Sequence, residues 1–158
     1  MPGYVNEAGF DRMLDDYPIG AAFLAGPARL SAAALRALQE RRFRVVLARA
    51  WQVPFYDRRW RAVGLEPGDI CGLDDIEKLP PFSKSDLMAS VEAYPPWGDY
   101  HGVDLAAGAA KPSIVFHTTS GTTGTPQPIF YGAHDRELQN VMLARAYGLH
   151  GLRDDDIV

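Results

Sequence analysis

A single cysteine, Cys71, stands in the 158-residue chain. It excludes an internal disulfide, a cysteine-based zinc cluster and a paired-thiol redox motif. A reducing, cytoplasmic setting is the expectation, with Cys71 a small apolar filler. Long apolar runs are also missing. The run from Ile19 to Gly26 is short, bracketed by Pro18 and Pro27, and preceded by Asp11, Asp15 and Asp16 where a secretory leader carries positive charge. Nothing approaches the ~20 apolar residues of a membrane span, so no membrane partner is expected. Charge of one sign is scarce: 16 basic against 20 acidic residues leave a formal net charge of -4. No basic surface for nucleic acid follows from that balance. The histidines, His101, His117, His134 and His150, show no pair three or four apart on one helix, and no metal site is expected in this chain. Internal repeats are absent, and Asp154-Asp155-Asp156 reads as a turn leading to a strand at Ile157-Val158.

What is present suits a soluble globular chain, with 47% hydrophobic and 23% charged residues and one domain's length. The pattern from Ser31 to Gln52 predicts a helix with Ser31 as N-cap. Leu35, Leu38, Phe43, Val45, Val46, Leu47, Ala50 and Trp51 would form its apolar side, and Arg36, Glu40, Arg41, Arg44 and Arg49 its wet face. Pro54 restarts the chain into a second helix through Val63, with Gly64 placed for a left-handed cap. Trp51, Tyr56 and Trp60 read as packing between the two helices. A one-turn helix over Asp74–Lys78 is expected, then a helix from Ser83, its cap, to about Val91. Tyr94-Pro95-Pro96-Trp97-Gly98-Asp99-Tyr100 reads as irregular, because adjacent prolines and a glycine suit neither helix nor central strand. A last helix opens at His134-Asp135, with Asp135 as N-cap. Leu138, Val141, Met142, Ala146 and Leu149 share a face, and the helix ends near Gly148 or Gly151.

Between two apolar runs, Ile114-Val115-Phe116 and Ile129-Phe130-Tyr131, lies His117-Thr118-Thr119-Ser120-Gly121-Thr122-Thr123-Gly124-Thr125-Pro126. Gly121 and Gly124 permit positive φ and close backbone approach, so that amide N–H groups can converge on one point. Ser120, Thr122 and Thr123 add hydroxyl donors, a set suited to a polyphosphate. The motif is not a Walker loop, since no lysine follows Gly124. An isolated Gly-Thr-Thr-Gly reads equally as a turn between two strands. His117, bordering the loop, reads as structural.

The longer string Thr119-Ser120-Gly121-Thr122-Thr123-Gly124-Thr125-Pro126 resembles the phosphate loop of the adenylate-forming superfamily. Several flanking segments are similar to phenylacetate–CoA ligases, in the same order: Pro54-Phe55-Tyr56, Leu73 to Pro80, Phe82 to Leu87, Tyr94-Pro95, and Gly148 to Val158. The resemblance covers roughly residues 31 to 158. It implies an α/β fold in which 1–112 is a helical N-terminal region of the large domain. Residues 113–158 would then be its strand–phosphate loop–strand–helix segment, the C-terminal parts being absent.

The resemblance implies an ATP-dependent ligation of a small carboxylic acid, aromatic by analogy with the branch, to coenzyme A through an acyl-adenylate. Mg²⁺ would assist in the intact enzyme. Thr119, Ser120, Gly121, Thr122, Thr123 and Gly124 would hold the nucleotide phosphates, while the catalytic residues and metal ligands would lie beyond this chain. Gln127 stands where many superfamily members carry lysine, which removes one positive charge near the phosphates. The expectation is an N-terminal portion inactive alone, whose exposed apolar faces seek a homodimer or a complementing C-terminal chain. A non-catalytic nucleotide- or phosphate-binding module and a partner-dependent interaction domain stay open beside it.

Overall fold

A computed structural model describes residues 10–103, 114–119, 126–153 and 155–156. Its elements are α1 (Phe10–Asp16), α2 (Gly20–Ala25), α3 (Ala32–Ala50), α4 (Pro54–Ala62), α5 (Lys84–Ala93), β1 (Ile114–Thr118), β2 (Pro128–Gly132) and α6 (Ala133–Leu149). Short 3₁₀ turns occupy Pro27–Arg29 and Leu73–Lys78. Among the described residues the fold is thus mixed helix with one two-stranded sheet, β1 beside β2.

The chain divides into two compact units, each discontinuous in sequence. One comprises Met1–Ala32, Pro112–Val115 and Tyr131–Val158. In it α1 and α2 pack on α6, with Met13 and Val141 buried. Arg145 fastens the arrangement: its Nε donates to the Pro18 carbonyl at 2.7 Å and its guanidinium lies 4.6 Å from the Phe23 ring centroid. The apolar set expected on one face of α6 is covered unevenly, Val141 being buried while Met142 and Leu149 are exposed. The helix begins at Ala133, which puts Asp135 at its third residue and not at the cap. Its carboxylate reaches back to accept the Gly132 N–H at 3.3 Å, the position where an acid meets the positive end of the helix.

The second unit comprises Ala33–Lys111 and Phe116–Phe130. Leu47, Trp60 and Ile70 form its buried centre, closed over by Phe43, Ala50, Trp51, Tyr56, Leu65 and Leu79. Each large apolar side chain so buried contributes about 1.5–3 kcal/mol. Trp51 meets Trp60 edge-on at 4.8 Å between centroids, and Tyr56 lies 5.7 Å from Trp60, so these aromatics join α3 to α4 as packing residues. The apolar side expected for α3 is narrower than the sequence suggested. Phe43, Leu47, Ala50 and Trp51 face inward, whereas Leu35, Val45 and Val46 are exposed. Successive residues on a helix lie about 100° apart, so three consecutive apolar positions cannot share one stripe. Leu47 with its neighbours at i−4, i+3 and i+4 meets Trp60 and excludes the other two.

Polar groups fix the ends. Gly64, at φ +81°, closes α4, with its N–H donating to Arg61 and that of Leu65 to Trp60, which delivers Leu65 to the core. Ser83 Oγ accepts the Asp86 N–H and Asp86 accepts the Ser83 N–H, a reciprocal cap on α5. The α3 arginines expected to be merely solvated include two that are paired, Arg36 with Asp74 and Arg44 with Glu40. Glu40 also accepts the Leu73 N–H at 3.0 Å, and that bond, foremost, holds its carboxyl below the usual range. Cys71 is exposed and not a filler; its thiol donates to the Gly68 carbonyl at 3.2 Å.

Candidate nucleotide site

β1 runs into Thr119, and Pro126-Gln127 runs into β2. Thr119 and Gln127 face each other where the strands part. The Thr119 N–H donates to the Gln127 carbonyl and the Gln127 N–H donates to Thr119 Oγ1, both at 3.1 Å. Thr119, expected among the phosphate-binding residues, therefore closes the stem through its hydroxyl oxygen and keeps its own O–H proton to donate. Ser120, Gly121, Thr122, Thr123 and Gly124 lie outside the described residues. Gln127, where a lysine was the alternative, contributes its backbone to this closure.

The stem is held from below by the segment that the sequence marked only as irregular. Trp97 packs 4.9 Å from Phe116 and 5.8 Å from Phe130, one ring on each strand. His101 lies 4.7 Å from Phe130. Tyr100 donates its hydroxyl to the Pro128 carbonyl at 2.7 Å, and burial raises its pKa, which keeps that proton in place. His101 Nδ1 accepts the Val103 N–H at 3.0 Å, and burial lowers the pKa of the ring, so the neutral form is favoured against an aromatic wall.

This segment is itself anchored. The Asp99 carboxylate accepts from both terminal guanidinium nitrogens of Arg58, at 2.8 and 3.3 Å, and from the Ser90 hydroxyl at 2.7 Å. Ser90 Oγ in turn accepts the Asp99 N–H at 3.0 Å. Burial alone would raise the pKa of Asp99, but the bonds from Arg58 and Ser90 and the Arg58 charge prevail and hold its carboxyl below the ordinary range. Arg58 also donates to the Tyr94 hydroxyl at 3.2 Å and stacks over that ring. Helices α4 and α5 thus converge on one aspartate, and Trp97, Tyr100 and His101 are set around it.

Sequence reasoning did not single out Arg58, Ser90, Asp99 or Tyr100. Arg58 and Asp99 lie 41 residues apart, and no local spacing pairs them. The one usable signal was Gly98 between Trp97 and Asp99. At φ +80° it adopts a conformation that side chains oppose, and a Cβ there would stand 2.7 Å from Ser90 Oγ. Among the described residues no group of three His, Cys, Asp or Glu side chains could hold a metal ion.

No family model matches the chain. It is 32% identical over 120 residues to the phenylacetate-coenzyme A ligase of Thermus thermophilus, covering 75% of this chain and 25% of that protein. The Escherichia coli phenylacetate-coenzyme A ligase is 32% identical over 113 residues, 71% of this chain and 24% of its own length. A crystal structure of 2-hydroxyisobutyryl-CoA ligase in an open conformation, with 2-HIB-AMP and CoA, superposes with a TM-score of 0.67 at 32% identity, over 80% of this chain and 26% of that one. The same ligase in its thioesterification state gives 0.67 at 35% identity. These likenesses define the class, the adenylate-forming CoA ligases. Within it the four curated relatives are all phenylacetate-coenzyme A ligases, each 32% identical to this chain. It spans about a quarter of the length of those relatives.

Proposed function

We propose that this chain is the N-terminal, phosphate-gripping portion of an AMP-forming acid–CoA ligase. The order of Thr119 to Gly124 between two paired strands supports this reading most directly, in a chain one-third identical to such ligases. In the reaction, a carboxylate oxygen attacks the α-phosphorus of ATP and pyrophosphate leaves. The CoA thiol then attacks the acyl carbon of the adenylate, and AMP leaves with its phosphate oxygen. The related 2-hydroxyisobutyryl-CoA ligase has been seen with an acyl-AMP and CoA, which matches these two stages.

Within that scheme, Thr119, Ser120, Gly121, Thr122, Thr123 and Gly124 cradle the β- and γ-phosphates by amide and hydroxyl donors. They act by positioning and by stabilising charge, with no lysine at Gln127 to assist. Mg²⁺ would add its charge to the phosphates from ligands outside this chain. The acid is aromatic in this reading, by likeness to the phenylacetate enzymes, and the setting is cytoplasmic. Residues 1–112 and 113–158 serve as the helical and the loop-bearing parts of one large domain. Catalysis needs the remainder of the enzyme, so the isolated chain does not turn ATP over.

Calorimetric titration of the chain with ATP, beside its Thr122→Ala/Thr123→Ala double variant, tests this. Hydrogen bonds to a charged phosphate are worth about 1.5–3 kcal/mol each, so the variant should bind at least tenfold more weakly. Equal affinities, or none in either protein, would count against this loop as the phosphate site.

A further inference from the structure

The strongest unassigned feature is the path from the helical core to the loop stem. It begins at Arg58 on α4 and Ser90 on α5, both bonded to Asp99, passes to Tyr100, and ends on the carbonyl of Pro128. Proline has no N–H, so the first residue of β2 cannot donate to a neighbouring strand. The carbonyl is its one polar backbone group, and Tyr100 takes it. Gln127, immediately before, is bonded to Thr119 on both sides. The Tyr100 hydroxyl thus acts one residue from the closure of the loop.

We propose that Tyr100 is a positioning residue that fixes β2, and with it the Thr119–Gln127 closure, in the register at which the loop receives phosphate. The proposal rests on the nucleotide reading above for its consequence, though not for its geometry. Trp97 and His101 confine Phe116 and Phe130 by ring contacts, which allow sliding; the Tyr100 hydrogen bond is directional and selects one register. Asp99 makes the tyrosine's own backbone a fixed point, because its carboxylate is bonded to two helices. The Tyr94 hydroxyl, of the same chemistry, accepts from Arg58 at 3.2 Å, and it serves as the control.

Tyr100→Phe and Tyr94→Phe would be compared with the unaltered chain by hydrogen exchange and mass spectrometry, then by ATP titration. Tyr100→Phe should speed exchange in peptides spanning Ile114–Thr119 and Gln127–Gly132 by roughly five- to tenfold, the worth of one hydrogen bond. Peptides of α4 and α5 should keep their rates, and ATP affinity should fall about threefold or more. Tyr94→Phe should change neither. Unchanged strand exchange, a rise spread equally over α4 and α5, or the same response in Tyr94→Phe would overturn the proposal. So would ATP affinity equal to that of the unaltered chain. If strand exchange rises as expected while the unaltered chain itself binds no ATP, the nucleotide reading fails and the hold of Tyr100 on the stem stands.

Discussion

Gly98 and Gly64 both sit at positive φ, +80° and +81°, yet their surroundings differ. Around Gly64 a Cβ would meet nothing within 4 Å, so an alanine there costs only the left-handed conformation, about 1 kcal/mol. Around Gly98 a Cβ would stand 2.7 Å from Ser90 Oγ and 2.9 Å from Tyr100 Cε1, so the backbone and both anchors must shift. Gly98→Ala should therefore destabilise by about 2–3 kcal/mol, and Gly64→Ala by about half as much or less. Denaturant midpoints of the two variants, at unchanged slope, would check the ranking. The glycines look alike in sequence because φ is local, whereas the crowding at Gly98 comes from a helix and a ring brought in by the fold.

Helix ends were legible because their chemistry lies within a few residues. Ser83 with Asp86, and Gly64 just past α4, were recognisable as caps from side-chain type and spacing alone. The covered side of α3 was not, since Val45, Val46 and Leu47 are equally apolar and only contact with Trp60 and Ile70 selects among them. Leu47→Ala should cost about 2–4 kcal/mol by leaving a cavity at the centre of its unit. Val46→Lys, at a residue 62% exposed, should stay within about 0.5 kcal/mol. Thermal unfolding of both would decide whether the stripe lies where the structure has it. Equal losses would mean that Val46 is covered as well.

The pairing of Arg58 with Asp99 belongs to its compact unit as a whole, because it draws three segments together. Its pH dependence has a definite sign. The folded-state pKa of Asp99 is depressed, so its contribution is fully present above the ordinary aspartate value near 3.9 and is lost as pH falls through the lower, folded value. Asp99→Asn should lower stability at neutral pH by about 1–3 kcal/mol, since the Asp99 carboxylate is largely buried while Arg58 is partly in water. The gap between the two proteins should close below about pH 4. Urea melts from pH 7 down to pH 3 would trace it, and a gap independent of pH would show that the charge is not the source.

By itself the sequence determined what depends on neighbours in the chain: helix caps, the breaks at proline and glycine, and the Gly/Thr string from Thr119 to Gly124 between two apolar runs. It also carried the likeness to phenylacetate-coenzyme A ligases, which is written in residue identities. Tertiary structure decided which side of α3 is buried, that Cys71 is exposed, and that Asp99 joins α4 to α5 while Tyr100 beside it holds β2. Those outcomes rest on contacts between residues tens of positions apart. Such contacts follow from packing and hydrogen-bond satisfaction in three dimensions, which no local spacing encodes.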